Sequence, residues 1–410
     1  MRIILLLAVL LSCFSAFSNT VFVSKDGQVA SLSKAIEIAK EGDTIIVSKG
    51  IYREGNILID KRLFLLGVNY PTIDGEKKSE VISIKHDSVV INGFNVINCA
   101  YGTITDPAGI KSYGVNNITI ENNVLDNNFF GIYIQSGHNC IIKNNILKAY
   151  GSEEQKLGNG IHCWKSTNIQ VIHNKVNGHR DGIYFEFVSE SIIWRNKVEN
   201  NIRYGLHFMF SHNNSYITNI FRSNGAGVAV MYTKNVTMIN NLFDKNWGQS
   251  AYGLLLKEIT DSYISNNKFI KNTTGVYMEG SNRIAFKENE FTDNGWAVKV
   301  QASCDDNTFY KNNFKANTFD MGTNGSLVLN NFDENYWDKY DGYDLNKDGY
   351  GDVPYHPLSL FCVLTERIPA TMLLYRSFMI TLLDKSEKVL PSITPDNFID
   401  NKPLMKPLKK

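Results

Sequence analysis

The 410-residue chain is poor in the features that hold many exported proteins together. It has six cysteines, none in a Cys-x-x-Cys pair. Cys13 lies in an N-terminal leader-like stretch. Cys99, Cys140, Cys163, Cys304 and Cys362 then remain, an odd set that excludes a disulfide framework and a thiolate zinc site. The formal net charge is only +1, so there is no basic field to gather nucleic acid, which is excluded as a partner. Past the first residues, no run reaches the roughly 18 uncharged apolar residues of a membrane helix.

Asn and Gly are plentiful, and they are periodic. A Gly-apolar-x-apolar unit recurs about every 22 residues, by the spacing expected of a solenoid: Gly131-Ile132-Tyr133-Ile134, Gly160-Ile161-His162-Cys163, Gly182-Ile183-Tyr184-Phe185, Gly205-Leu206-His207-Phe208, Gly227-Val228-Ala229-Val230, Gly253-Leu254-Leu255-Leu256 and Gly275-Val276-Tyr277-Met278. Asn-centred steps such as Asn122-Asn123, Asn144-Asn145, Asn240-Asn241 and Asn266-Asn267 precede the units, and Asn tolerates the left-handed angles of tight corners. Short alternating strands between such corners predict an all-β chain, a right-handed parallel β-helix.

The pattern divides the chain into five parts. Residues 1–18 read as a secretory signal peptide ending at Ala16-Phe17-Ser18. A lipoprotein-type cleavage before Cys13, or a buried first helix, are the alternatives. Residues 19–60 form an N-terminal cap whose helix starts at Ser31 or Ser33, since an open solenoid end needs cover. The β-helix proper occupies 61–335, with two longer spacings around Tyr150–Lys156 and Trp247–Ser250 that predict loops bulging from one face. An Asp/Gly-rich turn segment spans 336–357. Residues 358–410 are a C-terminal helical and extended segment, helical in two pieces broken at Pro369, with prolines 391, 395, 403 and 407 in an extended tail.

Strand alternation assigns faces. The first and third residues after each Gly are apolar and belong to the interior, Cys163 among them. The second and fourth face outward and, at the 4.8 Å spacing of paired strands, build two columns. One reads Tyr133, His162, Tyr184, His207, Ala229, Leu255, Tyr277, Lys299; the other reads Gln135, Trp164, Glu186, Met209, Met231, Lys257, Glu279, Gln301. The resulting binding strip is Tyr133, His162, Trp164, Tyr184, Glu186, His207, Met209, Met231 and Tyr277, because exposed apolar patches mark docking sites. Met209, Met231, His207 and His212 offer thioether and imidazole, which suit Cu(I). The same residues could instead only receive a protein partner, since Met adapts to varied surfaces.

A β-helix also hosts polysaccharide lyases, hydrolases and epimerases, so a uronate-type glycan enzyme is the alternative function. Glu186 with Asp181, Arg180 and His179 is a thin set for it, because glycoside hydrolysis needs two facing carboxyl groups. Asp344, Asn346, Asp348 and Asp352 have part of the spacing of a calcium loop, but Tyr355 stands where the bidentate Glu belongs. A structural calcium is the expectation there. His86, His138, His173 and His179 are expected at the surface.

The repeats, Asn335-Tyr336-Trp337-Asp338, the stretch from Asp344 ending Gly351-Asp352-Val353-Pro354-Tyr355, and Pro403-Leu404-Met405-Lys406-Pro407 together resemble the NosD family over nearly the whole chain. The resemblance implies a periplasmic accessory protein, not an enzyme. Such a protein would work with an ABC transporter, made of a permease and an ATPase, and with a copper-chaperone lipoprotein, to load the copper–sulfur cluster of nitrous oxide reductase. It brings no ligand set to particular residues. The C-terminal helices would contact the permease or, alternatively, cap the last rung.

Overall fold

The computed structural model describes residues 19–409 except 103–104, 152, 250, 326–328 and 390–397. The expected leader, with Cys13 and the expected cleavage site, lies outside them, as do Pro391 and Pro395. Each coil lays down three short strands, giving three sheets of 14, 12 and 13 strands whose ladders all run parallel. The Gly-apolar-x-apolar units form the 12-stranded sheet, and their register is rung over rung: Ile132 on Ile161, Ile183 on Leu206, Val228 on Leu254, Val276 on Val298. The expected parallel β-helix is present.

Two stacks hold the coils together. Phe221, Phe243, Phe269, Phe291, Phe314 and Trp337 pile face to face with centroids from 5.6 Å at the first step to 4.1 Å at the last, each ring removed from water by its neighbours. Beside them runs a ladder of buried asparagines. In each step, the main-chain N–H and side-chain Nδ2 of one Asn donate to Oδ1 of the next, as in Asn219 to Asn241 (2.9 and 3.0 Å) and Asn241 to Asn267 (2.8 and 2.9 Å). Ladder steps of 22 or 23 residues are the rule, and steps of 29 at Asn145–Asn174 and 26 at Asn241–Asn267 mark the two insertions.

The Asn-Asn step thus splits into two jobs. The first Asn of the pair adopts positive φ, 56° at Asn122 and 57° at Asn240, whereas the second turns inward and joins the ladder. The corner itself imposes the left-handed angle, because His173, Arg195 and Thr218 adopt it at equivalent positions.

At the N-terminus helix α1 (Leu32–Ile38) buries Leu32, Ala35 and Ile36. Ser31 caps it, and Glu54 from the next coil accepts from the Leu32 and Ser33 amides, both at 2.9 Å. Strands Thr20–Val23 and Thr44–Val47 already pair as the first two of the 14-stranded sheet, so coiling begins on either side of this helix. At the other end, α2 (Leu360–Arg367), a 3-10 turn (Pro369–Leu374) and α3 (Phe378–Val389) follow, with the break at Pro369 as expected. Helix α2 lies on the outer face of the 12-stranded sheet: Phe361 meets Phe319, Cys362 Sγ donates to the Met321 carbonyl (3.1 Å), and Glu366 pairs with Lys299 (2.6 Å).

The tail does not simply extend. Asp400 Oδ2 accepts from Asn335 N (3.0 Å), Asn335 Nδ2 (3.1 Å) and Trp337 Nε1 (3.0 Å), ending the Asn ladder, while Leu404 N donates to Asn335 O (2.9 Å). A carboxylate, with acceptors only, is the right terminus for a ladder whose last rung presents only donors.

Candidate functional site

Strand register brings the first column together as drawn from the sequence. Tyr133, His162, Tyr184 and His207 stack with ring centroids 4.4, 4.8 and 5.0 Å apart. The column is not solvent-facing as expected: Tyr133, His207, Ala229 and Leu255 are buried, and His162, Tyr184 and Tyr277 are partly covered. Alternation tells which side of the sheet a residue is on, not what lies over it. Here neighbouring rings cover one another, and side chains from the preceding rung and from the start of the same strand close over them. Lys111 Nζ sits 4.8 Å over the Tyr133 ring, and Tyr204 packs on His207 at 4.8 Å.

Polar groups beneath this cover are tightly coupled. Asp181, fully buried, has Oδ2 3.6 Å from His207 Nδ1 and Oδ1 3.7 Å from Arg203 Nε. Arg203 reaches on to Glu154 (3.2 Å), which belongs to the first insertion, so that loop folds back against the strip. The Asn159 amide accepts from Arg180 (3.2 Å) and donates to His162 Nδ1 (3.0 Å). Burial first, and then the Arg180 charge, push the His162 imidazole down to about 3, so it is neutral. Burial, then Glu186 and Asp181, push the Tyr184 hydroxyl up to about 12. His179, expected at the surface, is buried and heads a second Asn ladder by donating its amide to Asn201 Oδ1 (3.0 Å).

The second column is half-buried throughout its centre. Trp164, Glu186, Met209 and Met231 are successive register partners, so the two thioethers are neighbours. His212 lies beyond the corner at Ser211, and its Nδ1 accepts from Lys234 N (3.2 Å). Of the four candidate copper ligands, the structure sets Met209 beside Met231, places His212 around the corner, and buries His207 against Asp181. Among the described residues, no group of three or more His, Cys, Asp or Glu could hold a metal ion. In the Asp/Gly-rich segment, Asp344 accepts from Asp348 N and Gly349 N, Asn346 from Asp348 N, Asp348 from Tyr350 N and Asp352 from Leu345 N. The carbonyl-bearing side chains there shape their own turn.

The structure adds three residues that the two columns passed over. Phe187, Phe210 and Tyr232 follow the fourth position of successive units, at φ of 54°, 50° and 53°. They are 46%, 38% and 39% exposed and stack at 5.2 and 5.1 Å with interplanar angles of 9° and 13°. A third column taken one residue further along would have revealed them. They stand directly beside Glu186, Met209 and Met231 and turn the half-buried strip into an open aromatic and thioether edge.

Residues 148–342, the coils that carry this edge, match the family model described as "Periplasmic copper-binding protein (NosD)". Two relatives, each named "Probable ABC transporter binding protein NosD", match over more than two thirds of their own length. The one from Stutzerimonas stutzeri is 29% identical over 311 residues, 70% of this chain and 69% of that protein. The one from Pseudomonas aeruginosa is 27% identical over 378 residues, 86% of each. These matches support a NosD-family assignment for the chain. Among solved structures, the catalytic unit of a GH87 α-1,3-glucanase from Streptomyces thermodiastaticus superposes with a TM-score of 0.61 at 12% identity, covering 79% of this chain and 69% of that one. PfbA, a surface adhesin of Streptococcus pneumoniae, gives 0.54 at 12% identity, covering 77% and 90%. Likenesses this distant share the fold with this chain and carry no function to it. The family description places NosD proteins in the periplasm, and among the described residues no helix is long and apolar enough to cross a membrane.

Proposed function

We propose that this NosD-family chain is a periplasmic, non-enzymatic docking protein that serves copper delivery to nitrous oxide reductase. In this reading it binds the permease of an ABC transporter, whose ATPase lies across the membrane. It receives a copper-chaperone lipoprotein and the reductase on the edge formed by Met209, Met231, Phe187, Phe210 and Tyr232, and supports loading of the copper–sulfur cluster. Copper is the cargo, met transiently by soft thioethers.

One observation carries the docking reading. The C-terminal helices expose a contiguous apolar surface: Leu373 is 90% exposed, Phe378 82% and Met379 65%, around an apolar groove of about 380 Å³ lined by Phe361, Leu364, Leu374, Met379, Leu382 and Leu383. Surfaces of this kind on a water-soluble face mark protein or membrane contacts, and the two relatives are named as transporter-binding proteins. A catalytic reading has less to stand on. Glu186 has Trp164 and Met209 as its neighbours in register, and Asp181 is committed to Arg203 and His207. A structural calcium in the Asp344–Asp352 turn belongs to the same proposal as a stabiliser of the last rungs.

The test is retention of the mature protein on membrane and periplasmic extract with and without Cu(I), beside a Cu(I) titration against a competing chelator. Met209→Ala with Met231→Ala is expected to weaken Cu(I) binding about tenfold or more and to impair cluster loading while the fold persists. Normal loading in that double variant removes the strip from the proposal. Turnover of a uronate polymer that Glu186→Gln abolishes replaces it with the enzyme reading.

A further inference from the structure

A separate concavity opens at the N-terminal end of the same sheet, outside residues 148–342. It has a volume of about 270 Å³ and is walled by Asn56, Lys78, Ser79, Glu80, Ala100, Thr105, Pro107 and Tyr113. That size sits at the lower edge of small-molecule pockets, which start near 300 Å³, so it admits one ring and little more.

Its polar groups are held in place. The Glu80 side chain is 10% exposed and that of Lys111, behind it, 6%. Lys111 Nζ lies 4.0 Å from Glu80 Oε2 and donates to the carbonyls of Thr105 (2.9 Å) and Asp106 (3.2 Å). Tyr113 Oη donates to Glu80 (2.9 Å), and the Ser83 hydroxyl bonds both Glu80 and Asn56 Oδ1. Burial pushes the Glu80 carboxyl up, against the hydrogen bonds and the Lys111 charge, and pushes the Lys111 ammonium down. The structure buries Ser79 Oγ in the wall with no hydrogen-bond partner, an arrangement that costs free energy until something meets it.

We infer that this concavity is a binding site for a neutral, hydroxyl-rich ring of hexose size, either a free sugar or the end of a glycan. Lys111 balances Glu80, and Lys78 is paired with Glu76 (3.3 Å), so the site does not call for a charged ligand. Glu80 supplies acceptors, and Ser79 and the Asn56 amide nitrogen supply donors beside them, the pairing that vicinal hydroxyls satisfy. Ala100, Pro107 and the partly open Tyr113 ring give the apolar flank on which a sugar C–H face rests. None of these residues takes part in the copper or transporter reading.

Saturation-transfer NMR on the mature-length protein tests this with glucose, N-acetylglucosamine, glucuronate and a glucose trisaccharide. Transfer to the neutral sugars is expected, about fivefold weaker in Tyr113→Phe, which removes the hydroxyl that holds the Glu80 acceptors in place, and absent in Ala100→Trp, which fills the space. Stronger transfer to the trisaccharide than to glucose identifies a glycan end as the source, and equal transfer a free sugar. No transfer to any neutral sugar, a preference for glucuronate, or unchanged transfer in Ala100→Trp overturns the inference. Should circular dichroism show that Ala100→Trp fails to fold, Tyr113→Phe and Asn56→Ala decide it, and unchanged transfer in both overturns it.

Discussion

At the residue scale, the fold depends on asparagines that look alike in sequence and do different things. Asn241 accepts two bonds from Asn219 and gives two to Asn267 and a third to the Tyr216 carbonyl, all buried. Asn241→Ala leaves several of those groups unsatisfied and should cost about 2–3 kcal/mol in denaturant unfolding. Its neighbour Asn240 serves only by its angle, φ 57°, so Asn240→Gly should change stability by no more than about 0.5 kcal/mol. His179 adds a pH term. Burial holds its imidazole at about 4 against 6.5 unperturbed, so the unfolded chain takes up the proton first as pH falls below 6.5. Stability is therefore lost as pH drops from 6.5 towards 4, by up to roughly 3 kcal/mol. His179→Asn, which continues the ladder with a group that does not titrate, should flatten that part of the stability–pH curve. A slope unchanged from wild type would show that His179 is not its source.

At the scale of strands and corners, the period made the architecture legible, because solenoid register repeats identically and any residue's neighbour can be found 22 or so positions away. Ile161 over Ile183 and Met209 over Met231 both follow from counting. Cover does not follow from counting, which is why His207 is exposed on paper and buried in the fold: Asp181 comes from the preceding rung, Arg203 and Tyr204 from the start of its own strand, and the Glu154 turn from an insertion with no repeat to predict it. The aromatic edge escaped for a different reason. Phe187, Phe210 and Tyr232 occupy left-handed corners where Asn or Gly is expected, so they look like corner residues and not strand residues. Bulky rings at positive φ are strained, and their stacking on the surface points to use rather than stability. Phe210→Asn, better suited to that angle, should leave the thermal midpoint within a few degrees of wild type. It should also weaken retention of the copper chaperone of the proposed function by tenfold or more, as loss of a central aromatic contact does. Unaltered retention would detach the edge from the docking function.

At the scale of the whole molecule, the C-terminal segment closes the coil and, in the proposed function, meets the transporter. The strand-like tail closes the coil through Asp400, while α2 leans on the outer face of the strip sheet and α3 packs by Ile380 and Leu383, leaving Phe378 and Met379 turned to solvent. These jobs can be separated. Asp400→Ala strips acceptors from Asn335 N, Asn335 Nδ2 and Trp337 Nε1 at the end of the ladder and should destabilise the protein by about 2–3 kcal/mol, with the loss concentrated in hydrogen-exchange protection of the last rungs. Leu373→Ser combined with Phe378→Ser and Met379→Ser touches side chains already in water. Its melting temperature should match wild type, whereas retention on membranes that contain the transporter should disappear. If the serine variant melted early and still bound, the helices would be a second cap and the transporter contact would have to lie elsewhere. If it kept its stability and lost the membrane, the coil would be a rigid arm, held to the transporter at one end and presenting its thioether edge further along the same face.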